Sequence, residues 1–105
     1  MPKTGTRVLT GKSGKTYDLN VYNAGMRFND FIPGVYFLSR QDGVTEHAVF
    51  LGESDNVDLA LLKHEKRSIF EEQACNRISF LKNASREVRE AAVADLLPVL
   101  KPACN

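Results

Sequence analysis

The chain of 105 residues has the length of one domain, is 43% hydrophobic and 26% charged, and carries a formal net charge of +1. Those values exclude a disordered chain, which needs lower hydrophobicity and more net charge, and they supply no basic excess of the kind phosphate contacts require. The start, from Met1 to Arg7, holds no apolar stretch, so neither an export signal nor a membrane span is expected, and Cys75 and Cys104 are expected as reduced thiols in a cytoplasmic protein.

Residues 7–22 predict an N-terminal β-hairpin. Tyr17, Leu19 and Val21 alternate with Asp18 and Asn20, the period of a half-buried strand, after the turn Gly11-Lys12-Ser13-Gly14-Lys15. With Thr16 this turn looks like a phosphate-binding loop. Only two residues separate Gly11 from Gly14-Lys15-Thr16, however, where four are needed to wrap backbone N–H groups around phosphates. A loop with Asn23, Gly25 and Asn29 runs to Pro33-Gly34. Val35 to Ser39 is a continuous apolar run typical of a central strand, and His47 to Leu51 is its antiparallel neighbour across the turn Gln41-Asp42-Gly43.

Ser54, Asp55 and Asn56 are candidate caps for a helix over 57–66, with Val57, Leu61 and His64 on one face and Ala60 beside them. A short helical turn is expected through Ile69-Phe70, and a third core strand over 76–81. Ser85 caps a last helix with the stripe Val88, Ala92 and Leu96, widened by Val93, Leu97 and Leu100; Pro98 is expected to kink or end it. The expected fold is α+β. A central, mostly antiparallel sheet of three core strands and flanking helices occupies 33–105, the hairpin is an addition at 7–22, and residues 1–105 form a single domain.

Neither His47 nor His64 has a second ligand at metal-binding spacing, and the cysteines form no CxxC pair, so no metal or other cofactor is expected from these residues. One constellation remains. Gly34-Val35-Tyr36 opens a strand, Phe50-Leu51-Gly52 closes the next, Leu61-x-x-His64 lies on the following helix, and Lys101-Pro102-x-x-Asn105 ends the chain. Together these resemble the GIY-YIG nuclease family, in particular its small bacterial single-domain members with an extra N-terminal hairpin.

The resemblance implies how phosphodiester cutting is divided in that family. Two tyrosines position or deprotonate the attacking water, an arginine on the first helix stabilises the transition state, and a glutamate on the last helix holds a divalent metal. On this chain the first tyrosine is Tyr36, the second position is Phe50, the arginine position is Ala60 and the glutamate position is Val93. The three replacements are apolar, so packed, buried positions and a lost activity are expected.

The expected function is therefore a non-catalytic binding module for another macromolecule. Glu53, Asp55 and Asp58 beside the old cleft favour a protein over DNA or RNA. Tyr36, Lys63, Lys66 and Arg67 are the candidate binding residues. The alternatives are a non-cleaving nucleic-acid binder and a Mg2+-dependent DNA endonuclease whose site has moved onto Tyr36, Lys63, His64 and Glu90. Lys63 and Glu90 lie one turn from the vacated positions of Ala60 and Val93.

Overall fold

The computed structural model describes residues 5–23, 32–62 and 67–105. The elements run β1 (Gly5–Thr10), β2 (Thr16–Asn23), β3 (Gly34–Asp42), β4 (Thr45–Ser54), α1 (Val57–Leu62), α2 (Arg67–Glu72), β5 (Arg77–Lys82) and α3 (Arg86–Leu100). All five strands belong to one antiparallel sheet in the order β1-β2-β5-β3-β4.

This corrects the expected sheet of three core strands with flanking helices and a separate hairpin. The hairpin of β1 and β2 is part of the sheet, because β2 pairs with β5, setting Asn20 opposite Phe80 and Val21 opposite Ser79. More of the described residues lie in strands than in helices, and α3 is the one described helix longer than six residues. The pairing of β2 with β5 joins segments far apart in the chain, so no local pattern announces it.

The sheet is curled into a half-barrel. Four gaps between flat strands would put β1 roughly 19 Å from β4. Yet Arg7 of β1 hydrogen-bonds Glu46 of β4, which only curvature allows. A bulge between Leu38 and Ser39 supplies part of the bend: Leu38 faces Phe50, Ser39 faces Ala48, and Val49 is left as the additional residue.

The two faces carry separate cores. On the concave face Val35 and Phe37 pack with Leu9, Tyr17, Leu19 and Leu51 against Ala92 and Leu96 of α3. On the convex face Tyr36 and Leu38 pack with Val49, Ile78, Phe80 and Val57 of α1. A completely buried phenylalanine such as Phe37 stabilises the fold by about 3 kcal/mol through removal of apolar surface from water.

Ser85 caps α3 by accepting the Val88 N–H. The buried stripe of α3 is Arg89, Ala92 and Leu96, whereas Val88 is exposed. Pro98 does not end the helix, which continues to Leu100 and closes on Lys101 in the left-handed conformation. The carbonyl denied its partner by Pro98 is that of Ala94, four residues earlier on the exposed side, where water can satisfy it. After the helix, the Ala103 and Cys104 N–H groups donate to Ala48 and Val49 carbonyls, and the Asn105 amide both accepts from and donates to the Leu51 backbone at 2.8 Å. The tail thus covers the outer edge of β4, which would otherwise present unpaired backbone.

Candidate functional site

Tyr36 stands opposite Gly52 in the β3–β4 ladder and stacks on the diagonal neighbour Phe50, with ring centroids 5.9 Å apart and planes 29° from parallel. Gly52 lets them meet. A β-carbon there would come within 2.8 Å of the Phe50 ring and 2.9 Å of the Tyr36 hydroxyl. Gly34 is required for a similar reason, since a β-carbon would collide with the Phe80 ring and the Leu81 carbonyl. Both motif glycines therefore have packing reasons that hold whether or not the site has chemistry.

Ala60 of α1 packs half-buried against the same convex cluster, as does Phe50. Tyr36 is only 4% exposed. Burial, with the charge of Glu53 adding to it, pushes its phenol up to about 12. Such a hydroxyl stays protonated near neutral pH and is a poor base.

Val93 is elsewhere. It packs, half-buried, against the concave cluster under α3, so the sheet separates it from Tyr36, Phe50 and Ala60. The structure brings together three of the four positions named by the resemblance and not the fourth. Glu90 is exposed on α3 and pairs with Arg86 at 3.4 Å. Lys63, His64 and Lys66 lie outside the described residues, as does the loop over 24–31, and Arg67 opens α2. Among the described residues no three His, Cys, Asp or Glu side chains gather as metal ligands would. Cys75 and Cys104 are half-buried against the convex core, and burial pushes the Cys75 thiol up.

The glycine–lysine turn binds an anion of its own. Gly11 and Gly14 close it through backbone hydrogen bonds. The Ser13 N–H and hydroxyl donate to the Asp95 carboxylate at 2.8 and 2.7 Å, and the Tyr17 hydroxyl donates at 2.9 Å. The bonds from Ser13 hold the Asp95 carboxyl below its ordinary pKa. A side chain of α3 thus takes the place that a phosphate would have in a nucleotide-binding loop.

Two arginine centres escaped the sequence reading. Arg89, with its side chain 4% exposed, donates to Glu53 at 2.8 Å and to the carbonyls of Asn83 and Ala84 at 3.1 and 3.0 Å. At the other end of the concave face the Arg7 guanidinium forks onto Glu46, with bonds of 2.5 and 2.6 Å, and Ser39 donates a further 2.7 Å bond to the same carboxylate. Burial opposes ionisation of Glu46, but the hydrogen bonds from Arg7 and Ser39 and the charges of Arg7 and Arg77 outweigh it, so its pKa lies below the usual value. A strand pattern signals which of these residues share a face; it carries no signal that side chains from the two edge strands meet.

Compared with known families, with curated proteins and with solved structures, the chain matches none. Among the described residues no helix is long and apolar enough to cross a membrane.

Proposed function

We propose that this protein is a non-catalytic binding module without nuclease chemistry, and that its partner is another protein. The observation behind this reading is the division of the four resemblance positions by the sheet. Cleaving a phosphodiester requires the water-positioning group, the transition-state cation and the metal ligand around one phosphate. Here Tyr36 is buried and stacked on Phe50, Ala60 fills the neighbouring space, and Val93 packs on the opposite face.

A protein partner is favoured over nucleic acid by the charge of +1 over the whole chain and by Glu53 and Asp55 at the end of β4 and the loop beyond it. Phosphates approaching there meet the carboxylates of Glu53 and Asp55, and Arg89 beside them is already engaged by Glu53.

The test is incubation of the purified protein with single- and double-stranded DNA in Mg2+ or Mn2+, with the products resolved on gels. The expected result is uncut DNA of unchanged mobility. Metal-dependent nicking that disappears in Glu90→Ala or Lys63→Ala would establish a relocated nuclease site. A mobility shift without cutting would replace the protein partner with a nucleic acid.

A further inference from the structure

The concave face ends in a polar mouth that the packing of α3 leaves open. Thr6 and Arg7 of β1, Val21 of β2, Gln41 of β3, Glu46 of β4 and Arg77 of β5 surround a cavity of about 390 Å3, and no residue of α3 lines it. Mouths of curled sheets are recurrent ligand sites, and this volume falls at the small end of the usual range. Its walls are mostly polar, which excludes a purely apolar occupant.

The charges here do not cancel. Arg7 and Glu46 neutralise each other through two direct bonds, and Arg7 is further fixed over the Phe37 ring, 5.5 Å from its centroid. Glu46 already accepts from Arg7 and Ser39. Arg77 faces the same space, because it stands opposite Ser39 in the ladder. Among the described residues it has no carboxylate within ion-pair reach apart from the longer-range influence of Glu46.

We infer that the mouth of the half-barrel is a binding site for a small organic carboxylate, held by the Arg77 guanidinium beside the Arg7–Glu46 pair. The planar fork of an arginine matches the two oxygens of a carboxylate. One uncompensated positive charge matches one carboxylate, whereas a phosphate dianion would bring a second negative charge against Glu46. The remaining polar wall, Thr6 and Gln41, suits a short polar body rather than a hydrocarbon chain. This inference does not depend on the protein-partner reading above, since it concerns a different part of the molecule from Tyr36, Phe50 and Ala60.

The experiment is a titration of the full chain with lactate, a short polar monocarboxylate, followed by backbone amide NMR at constant ionic strength, with inorganic phosphate in a parallel series. Saturable shifts confined to β1, Gln41, Glu46 and Arg77 are expected with lactate, with phosphate at least tenfold weaker. Arg77→Gln should weaken lactate at least tenfold, and Arg77→Lys, which keeps the charge but not the fork, by less. Both variants are judged only where their spectra retain the wild-type dispersion, and the wild-type titration decides the matter if neither does. Phosphate binding as tightly as lactate would overturn the assigned chemistry. Absent or non-saturating shifts with both anions, or lactate binding indifferent to Arg77, would show the mouth to be only the solvated end of the sheet.

Discussion

Each end of the concave face holds a guanidinium against a carboxylate, but the two ends differ in what surrounds the pair. Under the start of α3, Arg89 is enclosed and its donors are used by Glu53 and by the carbonyls of Asn83 and Ala84. That end ties the helix to the sheet and to the β5–α3 connection. At the mouth, Arg7 and Glu46 are each about a quarter exposed, Arg77 is added to them, and about 390 Å3 stays open. The difference shows how similar chemistry divides into structure and opportunity. Where the guanidinium is enclosed, bonded through Nε and Nη1, and balanced by a carboxylate, removal leaves a damaged fold; where a cation is left over beside a cavity, removal should alter binding more than folding.

The largest effect should come from Arg89→Met. It leaves Glu53 without its partner in a mostly enclosed place, and loss of one member of a buried pair costs about 3–5 kcal/mol. Urea unfolding at neutral pH measures this, and a loss below about 1 kcal/mol would erase the contrast between the two ends.

Val93→Glu comes next. The resemblance would make this a restored metal ligand, but the structure puts the new carboxylate against the concave core, at a cost of about 2 kcal/mol for a half-buried charge without a partner. An unchanged thermal midpoint, or Mg2+-dependent stabilisation of the variant, would show that α3 stands off the sheet at this point.

Glu46→Gln should cost about 1–2 kcal/mol at neutral pH, because the pair is partly exposed. The sign of its pH dependence follows from the depressed pKa of Glu46. Its contribution is complete above the ordinary value of 4.5 and is lost as pH falls through the lower value in the folded protein. Melting midpoints of wild type and variant should therefore converge only in acid below pH 4.5. With the carboxylate gone, the mouth carries two uncompensated cations, and inorganic phosphate should bind the variant better than it binds wild type.

The smallest effect is expected for Asn105→Ala, which removes two hydrogen bonds to Leu51 from the edge of β4. About 1 kcal/mol is expected, with faster hydrogen exchange concentrated at the Leu51 amide. Slower exchange at the edge would mean that another segment closes it.

Much of the strand content was legible because alternation is a local property. Tyr17, Leu19 and Val21 announce one buried face of β2, and the apolar run beginning at Val35 announces a strand covered on both sides. Helix α3 was legible too, apart from one position. Counting back from Leu96 and Ala92 reaches Val88 or Arg89 equally well, and the apolar residue is the natural choice because arginines are rarely buried. Only the Glu53 carboxylate and two carbonyls from the β5–α3 connection reverse it. The glycines of the resemblance were visible as residues, and the structure supplies the aromatic rings that make them necessary.

What the sequence by itself determined is the set of elements, their apolar faces and the absence of charged or hydroxyl groups at Phe50, Ala60 and Val93, since each depends on residue type and short-range spacing. Tertiary structure alone decided that β2 pairs with β5, that Val93 lies across the sheet from Tyr36, and that Arg7, Glu46 and Arg77 surround one cavity. Those relations depend on strand order and curvature. Arg7 and Glu46 are 39 positions apart, and their meeting is fixed by the closing of the sheet around α3, a sum of many long-range contacts that no stretch of the chain encodes on its own.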